Sequence, residues 1–342
     1  MKQMTMAIVI LTMLGLVGCG SGSSSSATSA TDNSDSSTDT TDSGNQTTTP
    51  SLPDSINLVF LSSGSFTMGN SSEPDAAEVT VTLSDFQIAA TETTNAQYLE
   101  FLNAALVDNW LTVSSRTTSD PCGTYTEDMV IGANAGPHIG EVWLQLGETG
   151  GCTSDGHSED INNKSWIDFN ANNNEFVLLD ATKADWPINW LRWHGADAFA
   201  QYYGVSLPTE AQWEYAARGG MQLTYPTNDG TLDDTKANYN GDIAGVFDDD
   251  GHAIAVGSYA PNPYGLYDMG GNVWEWCADY YANNFYTNDV TDPINTNPGT
   301  DAKRVRRGGS WNYHSDTLRT FARASDLPDR GNNHFGFRIV KN

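Results

Sequence analysis

Three side chains capable of acid–base or nucleophilic chemistry lie close together near the C-terminus: Tyr313, His314 and Asp316. A phenol, an imidazole and a carboxylate can act as acid, base or nucleophile when the fold arranges them around a substrate. The chain contains no Gly-x-Ser-x-Gly, phosphate-binding-loop or His-Glu-x-x-His pattern, and its six histidines lack the spacing of metal ligands. An enzyme that uses these three residues is therefore one hypothesis.

The same C-terminal stretch contains residue types that are typical of binding surfaces. Gly308-Gly309-Ser310-Trp311 precedes it and Gly336-Phe337-Arg338 follows it, as a framework of small, apolar and charged residues. Aromatic, hydroxyl, amide and acidic side chains between them suit ligand recognition. The candidate ligand-binding residues are Tyr313, His314, Asp316, Phe321, Ser325, Asp326, Asn332, Asn333 and His334. We expect them to recognise a protein, a glycan or another ligand.

Apolar periodicity and turn residues predict the elements that position this stretch. Two strands are predicted over 56–61 and 79–83. Three helices are predicted: one that opens at Thr93-Thr94-Asn95, one over 193–203, and one that Thr209 caps and Gly219-Gly220 ends. The segment from about 106 to 186 is rich in Gly, Asn, Ser and Thr, and we interpret it as an insertion on the surface of one domain that covers 53–342.

The first 19 residues predict an export signal. Lys2 is followed by an apolar run over 6–17 and by Gly18-Cys19, the order of charge, apolar core and small residue that secretory signals show. The run is too short to span a bilayer. Leu16-Val17-Gly18-Cys19 resembles a bacterial lipobox, so we expect a lipid on Cys19 that anchors the chain to the membrane; a cleaved signal with a chance cysteine is the alternative. Gly20, by the same resemblance, favours the outer membrane.

Residues 20–52 are mostly Ser, Thr, Asp, Gly and Asn, and this composition predicts a disordered tether. The net charge of the chain is −27, and the tether contributes only four aspartates to it. An acidic folded part offers no basic face for phosphates, which argues against a nucleic-acid partner. An acidic surface can, however, hold calcium.

Three cysteines remain after Cys19. Cys122 and Cys152 lie in a polar, loop-rich stretch, and in an oxidising compartment we expect them to form a disulfide. Closing that loop would stabilise the fold by roughly 3–4 kcal/mol in the chain-entropy model. Cys277 follows Trp276, and we interpret it as a buried apolar thiol.

Six motifs, in order, resemble the formylglycine-generating enzyme, or sulfatase-modifying factor, family. They are Phe-Thr-Met-Gly at 66–69, Glu-Thr-Thr-Asn-Ala-Gln-Tyr at 92–98, Leu-Pro-Thr-Glu-Ala-Gln-Trp-Glu-Tyr-Ala-Ala-Arg-Gly-Gly at 207–220, Tyr-Gly-Leu-Tyr-Asp-Met-Gly-Gly-Asn-Val-Trp-Glu-Trp at 264–276, Arg-Gly-Gly-Ser-Trp at 307–311 and Gly-Phe-Arg at 336–338. The resemblance covers about 56–340. It implies a C-type-lectin-like variant fold of the α+β class, with short sheets, few helices and much irregular structure.

The resemblance also implies two structural calcium sites. One is held in the family by the loop that matches Asp268, Gly271, Val273 and Glu275. The other matches Asn238, Tyr239, Asp250 and His252. Carboxylate, amide and carbonyl oxygens suit a hard cation. The alternative is that these carboxylates cap turns.

The family's oxidase chemistry depends on a copper(I) site that this sequence lacks. In the enzymes, two cysteines shortly after Gly-Gly-Ser bind copper(I), which requires soft sulfur ligands. Here the run after Gly-Gly-Ser-Trp extends to Leu318, Tyr313 matches the first position, and no cysteine follows Cys277. Neither Tyr313 nor Leu318 can replace a thiolate. We therefore expect no copper and no formylglycine-generating activity.

Three functions remain as hypotheses. The first is a surface lipoprotein with a ligand-binding domain, the second is an enzyme of altered chemistry, and the third is a structural or assembly lipoprotein of the cell envelope. The alternation of framework and polar residues in 312–334 also resembles the variable region of lectin-fold proteins diversified by retroelements. An ordinary polar loop is the alternative to that interpretation.

Overall fold

The chain folds into short sheets and a few helices, as described by a computed structural model over residues 49–73, 75–120, 123–147, 165–239 and 252–342. The α-helices in these ranges are α1 (Asn95–Val107), α2 (Trp193–Tyr202) and α3 (Glu210–Ala217). Short 3-10 helices cover Ala181–Lys183 and Ser315–Leu318. The architecture is therefore α+β, as the resemblance implied.

Fifteen strands are present in the described ranges. They are β1 (Leu58–Leu61), β2 (Gly64–Met68), β3 (Val79–Leu83), β4 (Phe86–Ala89), β5 (Leu111–Asp120), β6 (Gly123–Gly132), β7 (Val142–Gln145), β8 (Ile167–Asn170), β9 (Glu175–Leu178), β10 (Trp274–Tyr280), β11 (Val290–Thr291), β12 (Arg304–Arg307), β13 (Ala324–Asp326), β14 (Phe335–Gly336) and β15 (Val340–Lys341). Their sheet orders are β1-β4-β15, β13-β12-β10-β14, β11-β3-β2, β5-β6-β7 and β8-β9.

The helices begin where the sequence predicts. Thr94 forms a capping box with Gln97: its hydroxyl accepts from the Gln97 N–H at 3.3 Å, and the Gln97 side-chain oxygen accepts from the Thr94 N–H at 3.0 Å. Thr209 and Gln212 repeat this arrangement at α3. Gly219 has a φ of 59°, a left-handed backbone that suits glycine after a helix end. The three predicted helices and the strand over 79–83 are confirmed, and the strand predicted over 56–61 is present as β1.

The segment 106–186 contributes to the main core in its described part. Trp143, Leu144, Ile167 and Phe176 from this segment are buried in the same hydrophobic cluster as α1 and α2. The prediction of an insertion that lies on the surface is corrected in this respect, since these strands supply large apolar side chains to the core.

The four-stranded sheet positions the C-terminal segment. Strand β12 pairs with β10 through Trp276↔Arg306 and with β13 through Arg306↔Ala324, both antiparallel. Strand β14 pairs in parallel with the other edge of β10. The chain therefore leaves the sheet after β12, rejoins it within 312–334 as the edge strand β13, and returns to the opposite edge at β14.

Several predictions fall outside the described residues: the lipidated Cys19, the disulfide between Cys122 and Cys152, and the calcium ligand Asp250. Cys277 is a free, fully buried thiol, as predicted. Across the described ranges, no helix has both the length and the apolar character needed to cross a membrane.

Candidate functional site

Buried arginines fix the C-terminal segment to the core. The Arg307 guanidinium pairs with the Glu214 carboxylate and also donates to the carbonyls of Thr320 at 2.9 Å and Ala322 at 2.5 Å. Arg323 forms two hydrogen bonds to the two carboxylate oxygens of Glu210, at 2.7 and 2.8 Å. Each buried charge in this set has a partner of opposite sign, so the backbone over 320–323 is held firmly.

The electrostatics of Glu210 agree with this geometry. Burial opposes ionisation of its carboxyl, but the neighbouring Arg323 guanidinium holds the Glu210 pKa below its ordinary value. The same pair raises the pKa of Arg323, although burial acts against it. Both groups are therefore charged near neutral pH, and the Arg323–Glu210 pair is an ion pair inside the fold.

The candidate ligand-binding residues differ in solvent exposure. His314 and Asp316 are exposed. Tyr313, Ser325, Asp326, Asn332 and Asn333 are half-buried. Together with His314 and Asp316 they form a surface on 313–333, which we name the C-terminal face.

Two of the predicted ligand contacts are buried and belong to the support of this face. Phe321 is 5% exposed, and the guanidinium carbons of Arg218 and Arg319 lie 5.7 and 5.2 Å from its ring centre. His334 is 6% exposed, and burial, with Arg306 nearby, lowers its pKa to about 3. The prediction that Phe321 and His334 contact a ligand is corrected, since neither ring is accessible.

The floor beneath Tyr313 includes Trp274, Arg306 and Phe335, which the sequence did not predict as site residues. The Tyr313 ring meets Trp274 edge-on at 5.3 Å and His334 at 5.4 Å. The Arg306 guanidinium lies 4.0 Å from the Phe335 ring centre and 3.3 Å from the Asp326 carboxylate. The sequence Arg-Val-Arg-Arg at 304–307 could have predicted the position of Arg306, because alternation along a strand puts Arg304 and Arg306 on the same face.

The family resemblance puts the copper-ligand positions in the stretch that contains Tyr313 and Leu318. Tyr313 packs on Trp274, and Leu318 is fully buried. A Cβ on Gly309 would lie 2.7 Å from the Leu318 side chain, so the Gly-Gly-Ser turn and Leu318 are in close contact. Neither side chain supplies sulfur for a copper(I) site.

At the first predicted calcium site, Glu275 forms a buried ion pair with Arg338. The Glu275 carboxylate accepts from Arg338 Nε at 2.7 Å and Nη2 at 2.8 Å, and from the Trp213 indole at 2.9 Å. Asp268 has a φ of 52° and accepts from the Gly257 N–H at 2.6 Å. Glu275 is therefore engaged by Arg338, which the sequence did not predict.

The charges around Arg338 do not balance. Glu92, Asp268 and Glu275 surround a single guanidinium. Burial, with a minor contribution from Glu275, raises the Asp268 pKa to about 6; burial and then Asp268 and Glu275 raise the Glu92 pKa well above its ordinary value. A divalent cation beside these carboxyls would favour their ionised forms.

The residues fit a calcium ion by charge and by oxygen chemistry. Within the described ranges, no group of three or more His, Cys, Asp or Glu side chains is arranged to hold a metal. Calcium would therefore need the Gly271 and Val273 carbonyls, as the family's ligand set implies, together with Asp268.

Three of the four residues of the second predicted calcium site, Asn238, Tyr239 and His252, lie within the described ranges. The Asn238 amide donates to the His252 carbonyl at 2.9 Å, and the Tyr239 hydroxyl donates to Asp234 at 3.4 Å. The His252 ring lies 4.8 Å from the Trp186 ring, and its Nδ1 is 2.8 Å from the Ala253 carbonyl. Asn238 and His252 are thus adjacent, whereas Asp250 lies outside the described residues.

The chain matches proteins of known family. A sulfatase-modifying factor enzyme 1-like domain matches residues 43–342. The formylglycine-generating enzyme of Mycobacterium tuberculosis is 31% identical over 321 residues, 83% of this chain and 97% of that protein. The serine/threonine-protein kinase pkn1 of Chlamydia pneumoniae is 39% identical over 168 residues, but the match covers only 26% of the kinase and 48% of this chain.

Solved structures show the same fold. Treponema denticola variable protein 1 superposes with a TM-score of 0.52 at 20% identity, over 84% of this chain and 95% of that chain. The shared architecture is the C-type-lectin-like variant of the formylglycine-generating enzymes. The chain therefore belongs to the family of sulfatase-modifying factor enzyme 1-like domains.

Proposed function

We propose that this protein is an exported, lipid-anchored surface protein whose domain binds a protein or glycan ligand at the C-terminal face. The observation that carries the proposal is the contrast within 312–334. Its backbone is fixed over 320–323 by the contacts of Arg307 and Arg323, while His314 and Asp316 are exposed and Tyr313 is half-buried beside them. A rigid backbone that presents exposed polar side chains beside a half-buried aromatic ring lowers the entropy cost of binding.

Catalysis by the family's oxidase reaction is not part of this proposal. The formylglycine-generating relatives are enzymes, but Tyr313 and Leu318 stand where a thiolate pair would be required. Purified protein supplied with copper, oxygen and a cysteine-containing sulfatase-type peptide should yield no aldehyde. Aldehyde formation would overturn this part of the proposal.

The binding role is tested by screening the purified domain on a glycan array and against a peptide-display library. Tyr313→Ala should reduce capture of the selected ligand by at least tenfold, because aromatic anchors dominate binding energy. Phe60→Ala is the matched control, since Phe60 is 60% exposed and lies in β1. Equal capture by wild type and Tyr313→Ala would contradict the C-terminal face as the binding site.

The anchor is proposed on the sequence of residues 16–19 and on the polar stretch that follows. Two or more lipid chains on a terminal cysteine give stable membrane attachment. Wild type should incorporate a fatty-acid analogue and fractionate with the outer membrane, and Cys19→Ser should do neither. If Cys19→Ser is labelled as strongly as wild type, the anchoring proposal is wrong.

A further inference from the structure

The turn that connects β6 to β7 contacts helix α2 through histidine and carboxylate side chains. His138 in this turn has a φ of 53°, a left-handed backbone that is uncommon for a residue with a side chain. Its Nε2 lies 2.7 Å from the Asp197 carboxylate on α2. The Glu141 carboxylate, at the end of the turn, lies 3.8 Å from Nε2 of His194 on α2. We name residues 133–141 the histidine turn.

Two imidazole rings pack against each other where the histidine turn meets α2. The ring centres of His138 and His194 are 4.8 Å apart, and the Trp193 ring lies 5.5 Å from His138. The side chains of His138 and His194 are only 21% and 15% exposed. In the described part of the chain, Nδ1 of His194 is buried and has no hydrogen-bond partner. An imidazolium at His194 would therefore carry a buried N–H without an acceptor, which disfavours the charged form.

The charges around His194 come from α2 itself and from the elements packed against it. They are Asp197 on α2, His138 and Glu141 in the histidine turn, Arg304 on β12 and Asp329 in the C-terminal segment. Burial, and then His138 and Arg304, lower the pKa of His194 to about 4, although Asp197 and Asp329 act in the opposite direction. His194 is therefore neutral at pH 7, and the packed arrangement resists its protonation.

We propose that the histidine turn is an acid-sensitive switch, which is closed on α2 at neutral pH and separates from α2 when His194 takes up a proton. In the closed form, a proton on His194 places a second cation beside Arg304 and against the ring of His138. In the open form, water solvates the imidazolium and separates it from these groups. Opening also releases His138 from the left-handed backbone that the closed contact maintains.

The direction of the pH dependence follows from the two forms of His194. Above about pH 6.5 the imidazole is neutral in both forms, so the pH has no effect on the opening equilibrium. Between about pH 6.5 and about pH 4 the open form binds a proton that the closed form does not. The free energy of opening therefore falls as the pH falls through this range, and the open population should rise by about tenfold or more from pH 7 to pH 5.

The switch adjoins the C-terminal face through Trp193. The Trp193 N–H donates to the Pro328 carbonyl at 3.1 Å, and the Arg304 guanidinium lies 3.6 Å from the Trp193 ring centre. Opening of the histidine turn removes the His138 ring from one side of Trp193. Acid should therefore loosen the first turn of α2 as well as the histidine turn.

The test is hydrogen–deuterium exchange of the full-length protein at pH 7, 6 and 5, with rates corrected for the intrinsic pH dependence of amide exchange. Protection over 132–142 and in the first turn of α2 should fall by about tenfold or more from pH 7 to pH 5. His194→Phe keeps an aromatic ring but cannot bind a proton, so it should retain its protection at pH 5. His194→Gln is a second variant that cannot become charged, and thermal melts show which variants fold. His314→Gln is the matched control, because His314 is an exposed histidine outside this cluster, and it should open like wild type.

Three results would overturn the proposal. The first is wild-type protection over 132–142 that is the same at pH 7 and pH 5. The second is an equal loss of protection in wild type and in the folded His194 variants. The third is a loss of the same size in α1 and in the β1-β4-β15 sheet, which would show acid unfolding of the whole domain instead of opening of the histidine turn. None of these measurements requires a ligand, so their outcome is separate from that of the proposed binding function.

Discussion

Arg338 is fully buried, and its replacement by methionine should be the most damaging single change to the framework. The guanidinium donates to both oxygens of Glu275 and to the carbonyls of Ala89, Ala90 and Tyr267, at 2.7–3.3 Å. Removing one partner of a buried ion pair leaves an uncompensated charge, which costs about 3–5 kcal/mol. That loss is a large share of the roughly 5–15 kcal/mol by which a native domain is stable.

The assay is equilibrium unfolding in urea, with Arg338→Met compared with wild type at pH 7. Arg330→Met is the control, because the Arg330 side chain is 66% exposed and pairs with Asp326 at only 3.6 Å. The control should change the free energy of unfolding by less than about 0.5 kcal/mol. The double variant with Glu275→Gln should recover part of the loss, since it removes the charge that has lost its partner.

The pH dependence of this effect is a further check on its cause. Burial raises the pKa of Asp268 to about 6 and that of Glu92 well above its ordinary value, so both bind protons as the pH is lowered. The destabilisation by Arg338→Met should therefore shrink between pH 7 and about pH 4, where fewer charges surround the vacated position. A loss below 1 kcal/mol at pH 7, or a loss that is the same at both pH values, would refute the electrostatic account of this cluster.

Three further predictions concern calcium, pH and the support of the C-terminal face. Calcium should raise the melting temperature of wild type, because a cation that binds only the folded state stabilises that state. It should not raise the melting temperature of Asp268→Ala. Equal shifts in both proteins would show that Asp268 is not a calcium ligand. Burial raises the pKa of Asp279 to about 7 and the pKa of Asp268 to about 6, both above the values in the unfolded chain. The native state therefore binds more protons at these carboxyls than the unfolded state does between about pH 4 and about pH 7. The free energy of unfolding should fall as the pH rises through this range. Asp279→Asn should flatten that fall in a pH series of urea titrations, and an unchanged slope would show that the carboxyl does not titrate there. Phe321→Ala should lower the free energy of unfolding by about 3–5 kcal/mol, because removal of a buried ring leaves a cavity. The fraction of the variant that folds should keep the ligand affinity of wild type. A variant that loses ligand affinity but melts like wild type would show that Phe321 contacts the ligand.

Local signals in the sequence predicted the helices well. The capping boxes at Thr94 and Thr209 depend on residues three positions apart, so a short window contains all the information. The six motifs predicted the fold class, because their order along the chain is specific.

Long-range contacts account for what the sequence could not predict. Phe321 is a typical surface anchor by residue type, but it is buried, and one of the side chains over its ring is Arg218, about a hundred positions earlier in the chain. Glu275 appeared as a free calcium ligand, whereas its partner Arg338 arrives from the C-terminal end.

The central claim is that the C-terminal face contacts the ligand on a rigid support. It is tested most directly by hydrogen–deuterium exchange of the full-length protein with and without the ligand selected by the array and display screens. We predict that the ligand slows exchange in peptides that cover 312–334, with little change in α1 or in the β1-β4-β15 sheet. Protection confined to other parts of the chain, with unchanged exchange over 312–334, would contradict the account.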